Sequence, residues 1–144
     1  MAHSMDAIFR PSLSELRQQW QAILDRSVVP PGKRQVAFTP VEILLCMYAS
    51  RVVNHRRYGG STAHLAEEPV QLLARLFKRP PSSILAKMAN LDGSRTHGGR
   101  GEVEAAEKFA GSPDDYKDVY RRVMRTARSA GIASEVLPDF LGLK

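Results

Sequence analysis

Cysteine is almost missing from these 144 residues: Cys46 stands alone, so neither a disulfide framework nor a CxxC pair for structural zinc is available. A reducing, cytoplasmic setting is the expectation. Long apolar runs are scarce too. The longest, Val41 to Val53, is interrupted by Glu42, Ser50 and Arg51 and falls short of the roughly 20 residues that a bilayer-crossing helix needs. It reads as a core helix. His55, His64 and His97 do not stand at paired ligand spacing, and no phosphate-loop lysine motif occurs. The acidic residues that could hold a catalytic metal, Asp114, Asp115 and the Glu102, Glu104, Glu107 group, are accounted for by helix capping and surface charge. These absences favour a binding protein with no catalytic residues, no metal and no cofactor.

What the chain has in excess is positive charge. Lysine and arginine number 21 against 15 acidic residues, a formal net charge of +6 that favours a polyanionic partner. The length suits one globular domain over residues 6–144, and the His-Ser-Met stretch within the first five residues resembles an expression remnant.

The apolar pattern predicts an all-α fold, a compact bundle of about six helices. Ser12-x-x-Glu15 matches a capping box, and Leu13, Leu16, Trp20, Ile23 and Leu24 follow at helical spacing to about Asp25. Pro30-Pro31-Gly32 and the basic Lys33-Arg34-Gln35 form a loop, with short strands near Val28 or Val36 to Phe38 left open. Thr39 and Pro40 start a second helix, expected to end near Asn54 with Ile43, Leu44, Met47 and Tyr48 on its apolar face. A basic loop, Asn54-His55-Arg56-Arg57-Tyr58-Gly59-Gly60, follows. Third and fourth helices are expected from Glu68 or Pro69 to Lys78 and from Pro81 or Ser82 to about Ala89, ended by Asp92-Gly93. A glycine-rich loop over 93–101 precedes a short helix at Glu102 to Phe109. Ser112 then caps a last helix running to about Ala130, whose Arg121, Arg122, Arg125 and Arg128 read as a solvated face.

Residues 73–90 read as two helices joined by a tight turn, a helix-turn-helix-like element that aims one helix start at DNA. The first-turn amides of Ser82, Ser83 and Ile84 could hold a phosphate there, with Lys87 one turn further on. Lys33 and Arg34, His55, Arg56 and Arg57, and Lys78 and Arg79 supply further phosphate contacts. In the loop 93–101, Arg95, Thr96, His97 and Arg100 are the candidates for base readout, Arg95 first among them.

Over about Thr39 to Arg100, and most clearly in Arg79-Pro-Pro-Ser-Ser-Ile-Leu-Ala-Lys-Met-Ala-Asn-Leu-Asp-Gly93, the chain resembles a known family. These are the sulfur-binding domains found beside HNH nuclease domains in McrA-type, modification-dependent (type IV) restriction endonucleases. Leu45-Cys-Met-Tyr48 and the basic loop Ser94 to Gly101 are similar to further parts of its pattern. The resemblance implies a module that binds phosphorothioate-modified double-stranded DNA, is joined in the full-length protein to a nuclease domain, and does not cut DNA itself. It also implies an apolar sulfur pocket, whose positions fall on Pro80, Pro81 and Ile84. Pro80 and Ile84 depart from the aromatic and alanine that some members carry. Sulfur is larger and more weakly hydrated than oxygen, so an apolar pocket favours it, whereas an oxygen there loses hydration at a cost of about 1–3 kcal/mol. Two other classes share the charge pattern: a helix-turn-helix regulator indifferent to sulfur, and a basic protein-interaction module.

Overall fold

The computed structural model describes residues 8–30, 32–91 and 100–142, with the backbone alone at 100–103. From Leu13 onward the described residues form six α-helices and one 3-10 helix, with no strand. The helices are α1 (Leu13–Asp25), α2 (Pro40–Ala49), α3 (Glu68–Phe77), α4 (Pro81–Leu91), α5 (Arg100–Ala110) and α6 (Pro113–Ser129), with the 3-10 helix at Gly60–Leu65. No described helix is long and apolar enough to cross a membrane.

Helix α1 opens on the expected capping box. The Ser12 hydroxyl accepts from the Glu15 N–H at 3.1 Å and the Glu15 carboxylate accepts from the Ser12 N–H at 3.1 Å, bonds that also hold the Glu15 carboxyl below its ordinary value. Its inner face, Leu16, Trp20 and Ile23, is fully buried, and Trp20 Nε1 donates to the Val123 carbonyl and to Thr126 Oγ1 of α6. A buried indole N–H that finds two acceptors ties the chain's first long helix to its last.

Helix α2 is the core helix that its apolar run predicts, but it is buried beyond the one apolar face expected and it is shorter. All ten of its residues are buried, Glu42 included, because α1, α3, α4 and α6 pack around it. A helix apolar on every side belongs at the centre of a bundle. It also stops at Ala49 rather than near Asn54: the Ser50 hydroxyl donates to the Met47 carbonyl at 2.6 Å, and Arg51 and Val52 close tighter turns onto Tyr48 and Ala49. Tyr48 meets Tyr116 and Tyr120 edge-on, with ring centroids 5.0 and 4.7 Å apart, and Phe109 and Phe9 extend this aromatic core. Burial pushes the Tyr116 phenol up to about 12.

Three smaller differences matter for the site. Helix α5 begins at Arg100, so Arg100 and Gly101 belong to its first turn rather than to a loop. Ser112 occupies the position before α6, but its side chain makes no capping bond. Residues 36–38, like Val28, form no strand; Arg79 holds the Val36 and Ala37 carbonyls.

Candidate nucleic-acid interface

The start of α4 is set by the turn that delivers it. Lys78 adopts a left-handed conformation (φ 58) after α3, and the Arg79 N–H reaches back to the Ala74 carbonyl at 2.9 Å. This closes the end of α3 and turns the chain toward Pro80-Pro81. Glycine is the usual residue in that conformation. Lysine is tolerated because its Nζ donates to the Leu24 carbonyl at 2.8 Å and to the Arg26 carbonyl, holding the end of α1.

Behind the turn sits a buried charge cluster. Glu42 accepts two guanidinium forks, from Arg26 at 2.9 and 2.9 Å and from Arg79 at 2.6 and 3.2 Å, along with the Thr39 N–H at 3.0 Å. Burial alone would raise the Glu42 carboxyl, but the Arg26 and Arg79 hydrogen bonds outweigh it and the carboxyl lies below its ordinary value. Arg79 also donates to the Val36 carbonyl at 2.7 Å and the Ala37 carbonyl at 3.2 Å and stacks on the Phe38 ring at 3.9 Å. Its side chain is 0% exposed. Arg26 donates to the Phe77 carbonyl as well, so one carboxylate joins the ends of α1 and α3 to the start of α2.

Two open clefts flank the α4 start. On one side, His55, Arg56 and Arg57 of the loop after α2, with Tyr58, Gly59, Gly60 and Thr62, face Ser82, Leu85, Ala86 and Ala89 of α4 across a cleft of about 700 Å³. This loop is shaped by short-range bonds. Asn54 Oδ1 accepts from the Arg56 N–H at 3.2 Å, the Asn54 N–H donates to Glu67 at 2.8 Å, and the Gly59 N–H donates to Thr62 Oγ1 at 3.1 Å. Gly60 has φ +54 with open space where a Cβ would point, so glycine is needed for the backbone angle rather than for room. Arg56, Arg57 and Ser82 are exposed and His55 is half-buried. Such a cleft can receive a phosphate: it offers guanidinium donors from the loop and the positive end of α4 from below.

On the other side, Val28, Val29, Pro30, Ala74, Pro80 and Pro81 wall a groove of about 880 Å³ that Lys33, Gln35, Gln71 and Arg75 also line. It is apolar in its walls and basic at its rim.

Several expected site residues lie elsewhere. Ile84 is 0% exposed and belongs to the core, so it cannot form a surface sulfur pocket with Pro80 and Pro81; half-buried Ala86 lines the cleft instead, beside the edge of Leu85, which is otherwise buried in the core. Arg79 and Lys78 spend their donors on Glu42 and on carbonyls and do not present them to a phosphate. The Ser83 N–H donates to the Pro80 carbonyl at 3.0 Å, which removes it from the anion-binding amides. Lys87 lies over the Phe38 ring at 4.8 Å, away from the cleft. Lys33 lines the apolar groove, and Arg34 is exposed on the same loop. Arg95, Thr96 and His97 lie outside the described residues.

Sequence reasoning missed Glu42 and Arg26. The signal was present: an acid inside an otherwise apolar ten-residue run, which burial obliges to find cationic partners. The comparisons add no kin: no family model, no curated protein and no solved structure matches this chain.

Proposed function

We propose that the chain binds double-stranded DNA through the basic cleft at the α4 start, and that it prefers a phosphorothioate linkage there. In this reading the chain is the recognition module of a restriction endonuclease, performs no catalysis itself, and is joined in its full-length protein to a nuclease domain. The observation that carries it is the convergence of His55, Arg56 and Arg57 on exposed Ser82 across one cleft. The resemblance of residues 39–100 to sulfur-binding domains supplies the modified phosphate.

In this account the negatively charged oxygen of the linkage meets the Arg56 or Arg57 guanidinium and the Ser82 N–H and hydroxyl, while sulfur lies against carbon. The carbon surface comes from Ala86, Ala89 and the edge of Leu85 that reaches the cleft, since Ile84 is turned inward and Pro81 lines the groove on the other side. Sulfur there gains dispersion and loses little hydration, whereas oxygen loses hydration without a donor, a difference of roughly tenfold to a hundredfold in affinity. The test is fluorescence anisotropy with paired duplexes, identical except for one phosphorothioate. Preference for the modified duplex supports the reading; binding to neither sinks it.

The short turn between α3 and α4 favours one other reading, a helix-turn-helix regulator indifferent to sulfur. Equal affinity for the two duplexes would select it.

A further inference from the structure

We propose that the apolar groove on the far side of the α4 start is a binding site for a single unstacked nucleotide, base and phosphate together. Three features set the chemistry of its occupant. First, its walls are carbon left in water: Val28 is 70% exposed beside Val29 and Pro30, facing Pro80 and Pro81, which suits a flat apolar body. Second, Gln35 Oε1 is buried with no hydrogen-bond partner among the described residues, an acceptor in want of an N–H. Third, exposed Lys33 and Arg75 stand on the rim, and no carboxylate is among the described lining residues. A nucleotide answers all three, with a planar base, N–H donors on its edge and a phosphate dianion. The groove volume of about 880 Å³ lies within the range of small-molecule sites.

An acidic peptide with an apolar side chain has similar chemistry, and position decides against it. Pro81 lines the groove and Ser82, the next residue, lines the cleft, so a strand whose phosphate rests at Ser82 carries its neighbouring nucleotide to the groove. To that extent the inference rests on the DNA-binding reading above, although the site itself does not require a duplex. In the bound form the base edge donates to Gln35 Oε1, the valine and proline side chains cover its faces, and Lys33 and Arg75 neutralise the phosphate.

The test titrates deoxyadenosine monophosphate into the whole chain and follows the Val28, Val29 and Ala74 methyl groups and the Gln35 side-chain amide by NMR. The probe without a base is 2-deoxyribose 5-phosphate. Saturable shifts of the groove signals with the nucleotide, and none with the sugar phosphate at the same concentrations, are expected. Gln35→Leu, which keeps the shape and removes the acceptor, should weaken nucleotide binding by roughly five- to tenfold. Val28→Asp at an exposed position should abolish it, with circular dichroism checking that both variants stay folded. The proposal is overturned by shifts confined to residues 55–62 and Ser82, by equal binding of the sugar phosphate, by indifference to both variants, or by an acidic apolar peptide saturating a groove that the nucleotide does not enter. A chain that takes the mononucleotide in this groove yet binds no duplex would refute the function proposed above and leave this site standing.

Discussion

The turn at 77–81 and the loop at 54–60 each bring cations to the start of α4, and they spend them in opposite ways. In the turn, Arg79 and Lys78 face inward to Glu42 and to four backbone carbonyls, of Val36, Ala37, Leu24 and Arg26. In the loop, Arg56 and Arg57 are exposed on a cleft, and Arg57 packs over Tyr58 at 5.4 Å. Sequence gives the two pairs the same charge and places the turn pair much nearer to Ser82 in the chain. What separates them is the company of a buried carboxylate and of helix-end carbonyls, both of which capture a cation before any ligand can. Rigidity is thereby placed behind the site and exposed charge in front of it.

Removing the inner side of this pair should have the largest effect. Arg79→Leu leaves Glu42 buried with half its forks and strands the Val36 and Ala37 carbonyls, at an expected cost of about 3–5 kcal/mol in urea unfolding. Ile84→Asp should unfold the chain for a related reason, an unpaired carboxylate at a 0% exposed position. If Arg79→Leu keeps the parent stability but loses DNA affinity, the division of labour between turn and loop is wrong.

Acid titration is the next test of the inner cluster. The Glu42 carboxyl is lowered from its ordinary value of 4.5, so it binds protons less readily folded than unfolded. Its contribution to stability is therefore full above the ordinary carboxylate value and is lost as pH falls below it through the lowered folded value. Parent and Glu42→Gln melting temperatures should differ most near neutral pH and converge as pH drops below 4.5. A gap that stays constant down to pH 3 would detach the cluster from acid stability.

The outer side is tested by affinity at unchanged stability. Arg57→Ala should weaken modified and unmodified duplexes alike, by roughly fivefold, and lower the slope of log affinity against log salt by about 1. Its melting temperature should match the parent, because the side chain is exposed. Selective loss on the modified duplex would move Arg57 into the sulfur contact.

Much of this layout was legible beforehand, and where it was not the reason is physical. Capping residues and apolar spacing located α1, α3 and α4 closely, because those signals are local and Ser12, Glu15 and the Pro80-Pro81 stop act within a turn of themselves. The loop His55 to Gly60 and the helix start at Ser82 were each legible as separate features, since a glycine-rich basic loop and a helix start are both written in adjacent residues; that they share one cleft was not. Long-range choices were not legible. Nothing near Arg79 in the chain announces that it stacks on Phe38 and bonds to Glu42, thirty-seven positions away. Likewise, Ile84 and Ala86 are both apolar in sequence, and only the packing of α4 against its neighbours decides that Ile84 is sealed in the core while Ala86 lines the cleft.

The smallest expected effect belongs to Lys78, where two opposing terms meet. Its left-handed backbone costs about 1 kcal/mol relative to glycine, and its Nζ bonds to the Leu24 and Arg26 carbonyls return a similar amount. Lys78→Met keeps the strain and removes the bonds, so it should destabilise by about 1–2 kcal/mol. Lys78→Gly removes both and should lie within about 0.5 kcal/mol of the parent. Neither should change duplex affinity beyond the loss of one charge remote from the cleft, because the ammonium is already engaged with α1. Denaturant unfolding of the three proteins measures the first pair of numbers and anisotropy measures the last. Should Lys78→Gly and Lys78→Met be equally unstable, the backbone strain is absent and the tether accounts for the whole effect. Should either lose duplex affinity tenfold at full stability, Lys78 reaches the phosphate after all, and the turn belongs with the loop rather than against it.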